Sequence, residues 1–244
     1  MIQTDPPRPP QEVLPTMYDL PSEDPEEPGL PDEFHDFQPQ LLRESFNPPN
    51  YPPEQIFVAT DLNLYYDARH LNWYKCPDWF AVVGVPRLYQ GWDLRLSYVM
   101  WQEQVKPLII VELLSPGTEK EDLGETERGV NQPPTKWEVY ERILGIPYYV
   151  VFDRYINNFR AFRLEDGSYR ELIAEDKLWL SEVSLGLGLW QGTFQGIERL
   201  WLRWYDANGN WVATEVEQER QRAEQERQRA DRLEAELRVL RGEL

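Results

Sequence analysis

A single cysteine, Cys76, and two histidines, His35 and His70, are all the soft metal-ligating chemistry in 244 residues. One cysteine excludes a disulfide within the chain and any cysteine-built zinc site, and it fits a reducing compartment. His35 and His70 show no metal-ligand spacing, so catalytic chemistry is expected from carboxylates, Lys, Ser or Tyr. Cys76 has no base beside it in sequence and is expected as a small packed residue. No apolar run approaches the roughly 18 to 20 residues of a membrane span, and the start, MIQTDPPRPP, has no signal-peptide pattern. A cytoplasmic location without a membrane partner is the expectation. No glycine loop of the phosphate-cradling kind occurs. Positive charge is scarce too: 25 Lys and Arg face 43 Asp and Glu, for a net charge of −18. That balance argues against a surface gripping phosphates non-specifically.

What is present is unevenly distributed. Residues 1–50 carry −9, residues 213–244 carry −2, and the middle carries −7. Fourteen of the 21 prolines precede Gln55, mixed with the acidic run SEDPEEPGLPDEF. This composition lacks the apolar periodicity of a packed element. Residues 1–54 therefore read as an acidic, proline-rich leader partly wrapped on a core. A short helix from His35 to Phe46 is expected within it, with Phe37, Leu41, Leu42 and Phe46 on one side.

The core spans residues 55–212. With 41% hydrophobic residues and 13% aromatics, the chain can bury a sizeable interior. Four segments read as strands: QIFVATDLNLYYD, PDWFAVVGV, RLSYVMW and PLIIVELLS. The last is broken by one charge, Glu112, and should be central in its sheet. A helix follows in KWEVYERILG, with Trp137, Tyr140, Ile143 and Leu144 at helical spacing and Gly145 ending it. The strand PYYVVFD then returns parallel to the first. Hairpins are expected at Asp166-Gly167 and Asn208-Gly209. The fold class is α/β, and the ten tryptophans read chiefly as core and sheet-face residues, although such rings can also stack single-stranded bases.

From Val216 the chain repeats QERQRAE and then QERQRAD, with Val216, Ala223, Ala230, Leu237 and Leu244 seven apart. Three residues after the first four stand Glu219, Glu226, Leu233 and Leu240, so a coiled-coil seam is good only in its last two heptads. Residues 213–244 are read as a coiled coil making a homo-oligomer through 216–244. The competing reading is a solvated single helix held by Glu and Arg pairs.

Asp78 opens an apolar strand and Glu112 interrupts another, where an unpaired carboxylate costs several kcal/mol, on the order of a lost buried ion pair. Either both pair with cations, or both hold one divalent ion through oxygen ligands, with the Leu113 carbonyl as a third. The fuller pattern is Pro77-Asp78, then EQVKPLIIVELLSPGTEKED, then TKWEVYERILGIPYYVVFD.

This pattern resembles the Uma-two-type restriction endonucleases, a bacterial branch of the PD-(D/E)xK nuclease superfamily, over most of Pro77 to Tyr169. The resemblance implies a restriction-endonuclease-like mixed sheet flanked by helices, and Mg²⁺- or Mn²⁺-dependent hydrolysis of DNA. It implies Asp78 and Glu112 as catalytic metal ligands. Leu114 stands where the superfamily often has a lysine. The resemblance instead implies Lys136 as the catalytic lysine, with Ser115, Asp122 and Tyr140 supporting it and Lys120 as a substitute for Lys136. An acidic ligand from the leader is also implied, with Glu33 and Asp36 as candidates. Two other readings stand beside this one. The first is a catalytically silent nuclease fold that serves protein partners through its leader and coiled coil. The second is a glycosidase using the same two carboxylates.

Overall fold

The computed structural model describes residues 32–115, 119–126, 129, 132–172 and 177–241. At its centre lies a six-stranded mixed sheet built from β1 (Ile56–Ala59), β4 (Trp79–Val83), β6 (Ile109–Leu113), β7 (Tyr148–Asp153), β8 (Asn158–Glu165) and β9 (Ser168–Leu172), in that order across the sheet. Within this sheet only β6 and β7 run parallel. The expected central strand is therefore β6, buried along its whole length between β4 and β7.

Alternation along the strands sorts their side chains into two cores. Trp79, Ala81, Ile109, Val111, Leu113, Val150 and Phe152 face one side, where they meet helix α1 (Glu33–Ser45) and a second sheet of β10 (Lys177–Leu180), β11 (Leu185–Phe194) and β12 (Ile197–Tyr205). Phe80, Val82, Ile110, Tyr149 and Val151 face the other, against Val139 and Tyr140. Glu112 follows Ile110 by two residues and shares this second face. A small third sheet joins β2 (Leu64–Tyr65), β3 (Tyr74–Lys75) and β5 (Tyr98–Val99). Short helices α2 (Met100–Glu103) and α3 (Glu119–Asp122) precede α4 (Lys136–Glu138), which continues as a π turn over Val139–Ile143. The chain ends in α5 (Glu215–Leu240).

The leader helix is a structural member of the core. Asp32 caps α1 by accepting from the N–H groups of Phe34 and His35 at 2.8 and 3.1 Å. Its inward face carries Leu41 and Leu42, both fully buried, together with Gln38. The Gln38 amide donates to the Leu202 carbonyl and accepts from the Leu202 N–H, each at 2.8 Å. That pair satisfies the outer edge of β12 and explains how a buried amide is tolerated there.

Several expectations need correction. QIFVATDLNLYYD is two strands in different sheets, because Asp61 adopts φ 48° and turns the chain between them. RLSYVMW keeps only two strand residues before the chain turns into α2. Ile143 is 48% exposed, because the wider π turn carries it away from the face held by Val139 and Tyr140. The Asp166-Gly167 hairpin forms with both residues at positive φ. Asn208-Gly209 closes only an isolated bridge, Tyr205 to Trp211. The long hairpin is instead β11–β12, turning at Gln195-Gly196. At the C-terminus the structure has one long helix, and none of its described residues is buried. Among the described residues no helix is long and apolar enough to cross a membrane.

Candidate active site

The site forms at the ends of β4 and β6. Antiparallel pairing of these strands brings Asp78, just before β4, beside the last two residues of β6. The Leu113 N–H donates to Asp78 Oδ2 at 2.5 Å, and the Asp78 N–H donates to Glu112 Oε2 at 3.3 Å. The Asp78 carboxylate is thus held by the residue after Glu112, and the Glu112 carboxylate by the backbone of Asp78, 34 residues away in sequence.

Lys136 enters from α4. Thr135 and Glu138 form a reciprocal capping box, with Glu138 N–H donating to Thr135 Oγ1 and Thr135 N–H to Glu138 Oε2, each at 3.1 Å. The cap fixes Lys136 as the first helical residue, and its ammonium lies 3.1 Å from Glu112 Oε2 and 2.9 Å from Asp122 Oδ1. Tyr140, one turn on, donates its hydroxyl to Glu112 Oε1 at 2.9 Å. The structure thus brings Asp78, Glu112, Asp122, Lys136 and Tyr140 together. Ser115 is buried two residues after β6. Lys120 points outward and is exposed, so the ammonium at this site is that of Lys136. Leu114, two residues after Glu112, is buried in the second core.

Electrostatically this is a dense cluster in which Glu112 is fully buried, Asp122 is 1% exposed and Lys136 19%. Burial and the charges of Asp78 and Asp122 drive the Glu112 carboxyl well above its ordinary range, while Lys136 and the Tyr140 hydroxyl oppose them. Burial works against the Lys136 ammonium, but Glu112, Asp122 and Asp78 outweigh it and hold the group firmly protonated. Asp61 is pushed up to about 6 by partial burial of its carboxyl and by Asp78, against His35 and Lys136. Cys76 is pushed up to about 12 by burial and by the carboxylates of Asp61 and Glu112, so it stays a thiol, as expected of a packed residue.

The residue that sequence reasoning set aside is His35. Its Nε2 lies 3.0 Å from the Leu113 carbonyl oxygen and its Nδ1 lies 2.9 Å from Asp32 Oδ1. Both partners are acceptors, so both ring nitrogens carry hydrogens and the ring is an imidazolium. Burial opposes this charge, but Asp32, Asp78 and the Leu113 carbonyl raise the pKa above its usual value. Arg154 holds the other oxygen of Asp32 at 2.5 Å. Desolvation would raise the Asp32 carboxyl, yet His35 and Arg154 bring it below its normal range. Glu33 and Asp36 are exposed on the outer side of α1, and Asp36 accepts from Gln40 there. The leader therefore reaches the site through a cation, and the Leu113 carbonyl, expected as a free third ligand, already accepts from His35. Helical spacing alone gives no signal for this, because two of the three residues sharing the His35 face, Gln38, Leu42 and Ser45, are polar, although all three are buried.

Four carboxylates, Asp61, Asp78, Glu112 and Asp122, face two cations, Lys136 and His35. The carboxylate oxygens are hard donors of the kind that divalent ions take. Among the described residues, no three His, Cys, Asp or Glu side chains converge closely enough to form a ready-made metal cage. Both Glu112 oxygens are engaged, and the ammonium of Lys136 fills the place of a cation beside them.

No curated protein matches the chain. The model of the Uma2 family, described as “Putative restriction endonuclease”, matches residues 15–200, well over half of the sequence. That stretch contains α1, the central sheet and every residue of the cluster. The chain belongs to this family of restriction endonuclease-like proteins.

Proposed function

We propose that this protein is a metal-dependent endonuclease that hydrolyses phosphodiester bonds in DNA on a restriction-endonuclease-like fold. The observation that carries the reading is Asp78 and Glu112 locked side by side at a strand end with the Lys136 ammonium on Glu112. Asp78 and Glu112 would hold Mg²⁺ or Mn²⁺. Such an ion, when bound, supplies Lewis-acid polarisation of a phosphoryl oxygen and a more acidic water.

The chain's own groups have separable roles. Lys136 is held protonated, so it serves as a fixed positive charge facing the phosphate and not as the base. Tyr140 and Asp122 orient Glu112 and Lys136 respectively. His35, a second fixed cation, orients the Leu113 carbonyl. Water attacks phosphorus and gives up one proton to solvent, the bond to the leaving sugar oxygen breaks, and that oxygen takes one proton back from solvent, so the products are a phosphate monoester and a sugar hydroxyl. DNA binding by so acidic a chain needs a local positive patch. Arg154 and Arg199 lie together over the Phe34 ring, at 5.4 and 4.4 Å; Arg154 is ion-paired to Asp32, so Arg199 is the candidate for meeting a phosphate.

A second reading is favoured by one observation. Glu112 is internally satisfied by Lys136 and Tyr140, as a fold that had given up its metal would be. Titrating Mg²⁺ and Mn²⁺ calorimetrically into the wild type and Glu112→Ala, with plasmid nicking assayed on the same samples, separates the two. Binding and nicking that both require Glu112 support the nuclease. Absence of metal binding in either protein supports a silent fold acting through protein partners, and full nicking by Glu112→Ala refutes the proposed site.

A further inference from the structure

Helix α5 leaves the core on a rigid footing. Thr214 and Glu217 form a capping box, with Thr214 N–H donating to Glu217 Oε2 at 2.8 Å. Arg203 of β12, itself buried, binds the same Glu217 carboxylate and donates to the Val212 carbonyl. Beyond this anchor the helix extends for 26 residues, about 39 Å at 1.5 Å per residue, with no buried position. Leu233, Leu237 and Leu240 are 52, 50 and 82% exposed. With Ala230 they follow the spacing 230, 233, 237, 240, the 3–4–3 alternation of a coiled-coil seam.

The flanking charges choose the partner. Where Ala230 and Leu237 occupy the first core position, Arg229 and Glu236 flank one side of the seam, and Glu234 and Arg241 flank the other. In a parallel, in-register pair, each residue of the first side meets the partner's residue five positions on. Arg229 then faces Glu234, and Glu236 faces Arg241, each twice by symmetry. Antiparallel packing over the same apolar layers sets Glu234 against Glu234 and Glu236 against Glu236, with Arg227 against Arg241. Nearer the core the parallel arrangement fails, because Arg222 would face Arg227 and the inner core positions are Glu219 and Glu226.

We propose that the chain forms a parallel homodimer through the C-terminal half of α5, from Ala230 onward, while the first half of each helix stays unpaired as a charged arm holding its core apart from the other. A second copy of this chain is the occupant, because it presents the same leucines with the complementary charges in register. This inference does not depend on the nuclease reading.

The test uses the full chain in a Cys76→Ser background, with light scattering over a concentration series and disulfide trapping. The mass should rise toward twice 29.0 kDa with concentration. Leu233→Asp combined with Leu240→Asp should keep it at one copy without altering the near-ultraviolet signal of the core. Leu237→Cys should cross-link quantitatively on oxidation, and Glu219→Cys at least tenfold more slowly. A single-copy mass at the highest concentration overturns the proposal, as does a dimer that survives the double Asp variant. A dimer in which Leu237→Cys does not cross-link overturns the parallel orientation. Equal cross-linking at Glu219→Cys overturns the unpaired arms.

Discussion

Replacing Lys136 with Met keeps the length of the side chain and removes its charge, so the packing change is small and the electrostatic one large. The ammonium lies within 3.1 Å of two carboxylates that are 0 and 1% exposed, and neither can be rescued by solvent. Breaking a buried pair by removing one partner typically costs about 3–5 kcal/mol. For a domain of this size that corresponds to roughly 6–20 °C in melting temperature. Glu112→Gln should cost less, because Lys136 keeps Asp122 and the Gln carbonyl can still accept from Tyr140. Thermal and urea unfolding in EDTA, followed by tryptophan fluorescence, would order the two variants. If the cluster accepts a divalent ion, millimolar Mg²⁺ should return more stability to Lys136→Met than to the wild type, since the ion replaces the missing cation. The reasoning fails if Lys136→Met lies within about 1 kcal/mol of the wild type, or if Glu112→Gln is the more damaging change.

The thiol of Cys76, pushed up to about 12, should react with iodoacetamide at pH 8 about 10²- to 10³-fold more slowly in the folded chain than in urea, and equal rates would contradict its placement. Two limbs of opposite sign are expected from the His35–Asp32 pair in EDTA. The raised His35 gives stability that is complete below pH 6.5 and is lost as pH climbs through its folded pKa, whereas the lowered Asp32 gives stability present above pH 3.8 and lost as pH falls through its folded pKa. His35→Gln should therefore narrow its deficit relative to the wild type as pH rises above 6.5, and a pH-independent deficit in urea titrations would argue that the ring is neutral. Arg199→Ala should weaken binding of a DNA duplex and flatten its salt dependence by about one ion without changing sequence preference, whereas an unchanged salt slope would remove Arg199 from the proposed DNA contact.

The parts of this fold most legible in the sequence are those set by local chemistry. The β6 run of apolar residues around Glu112, the parallel return into β7, the stop at Gly145 and the Asp166-Gly167 turn are all where pattern places them. Long-range packing hid the rest. The β11–β12 hairpin carries glycines that look like strand breakers, yet a Cβ at Gly186 would stand 2.0 Å from the Tyr205 ring, so the glycine is where an aromatic side chain lies flat on the strand. Asp61 reads as part of a continuous strand, and only its contact with the Pro77 carbonyl and its positive φ show that the chain must turn there. The carboxylates of the site could be picked out because a charge in an apolar strand is costly. His35 could not be picked out that way, since a histidine in an acidic leader looks solvated until α1 is packed on the sheet.

The same contrast explains how a carboxylate cluster at a strand end can draw its ammonium from a helix. Leu114 is buried in the second core, and the ammonium beside Glu112 comes from Lys136 instead. What the site requires is an ammonium about 3 Å from a buried carboxylate, and no particular chain position for its Cα. A capped helix start can deliver that ammonium as firmly as a strand can, because Thr135 and Glu138 fix the first turn before any tertiary contact is made. The π turn that follows then widens the helix where Tyr140 reaches the other oxygen of Glu112. Delivering the cation from a helix therefore leaves Glu112 as the one charge within β6, which is why that strand can be buried on both faces and still end in a charged cluster.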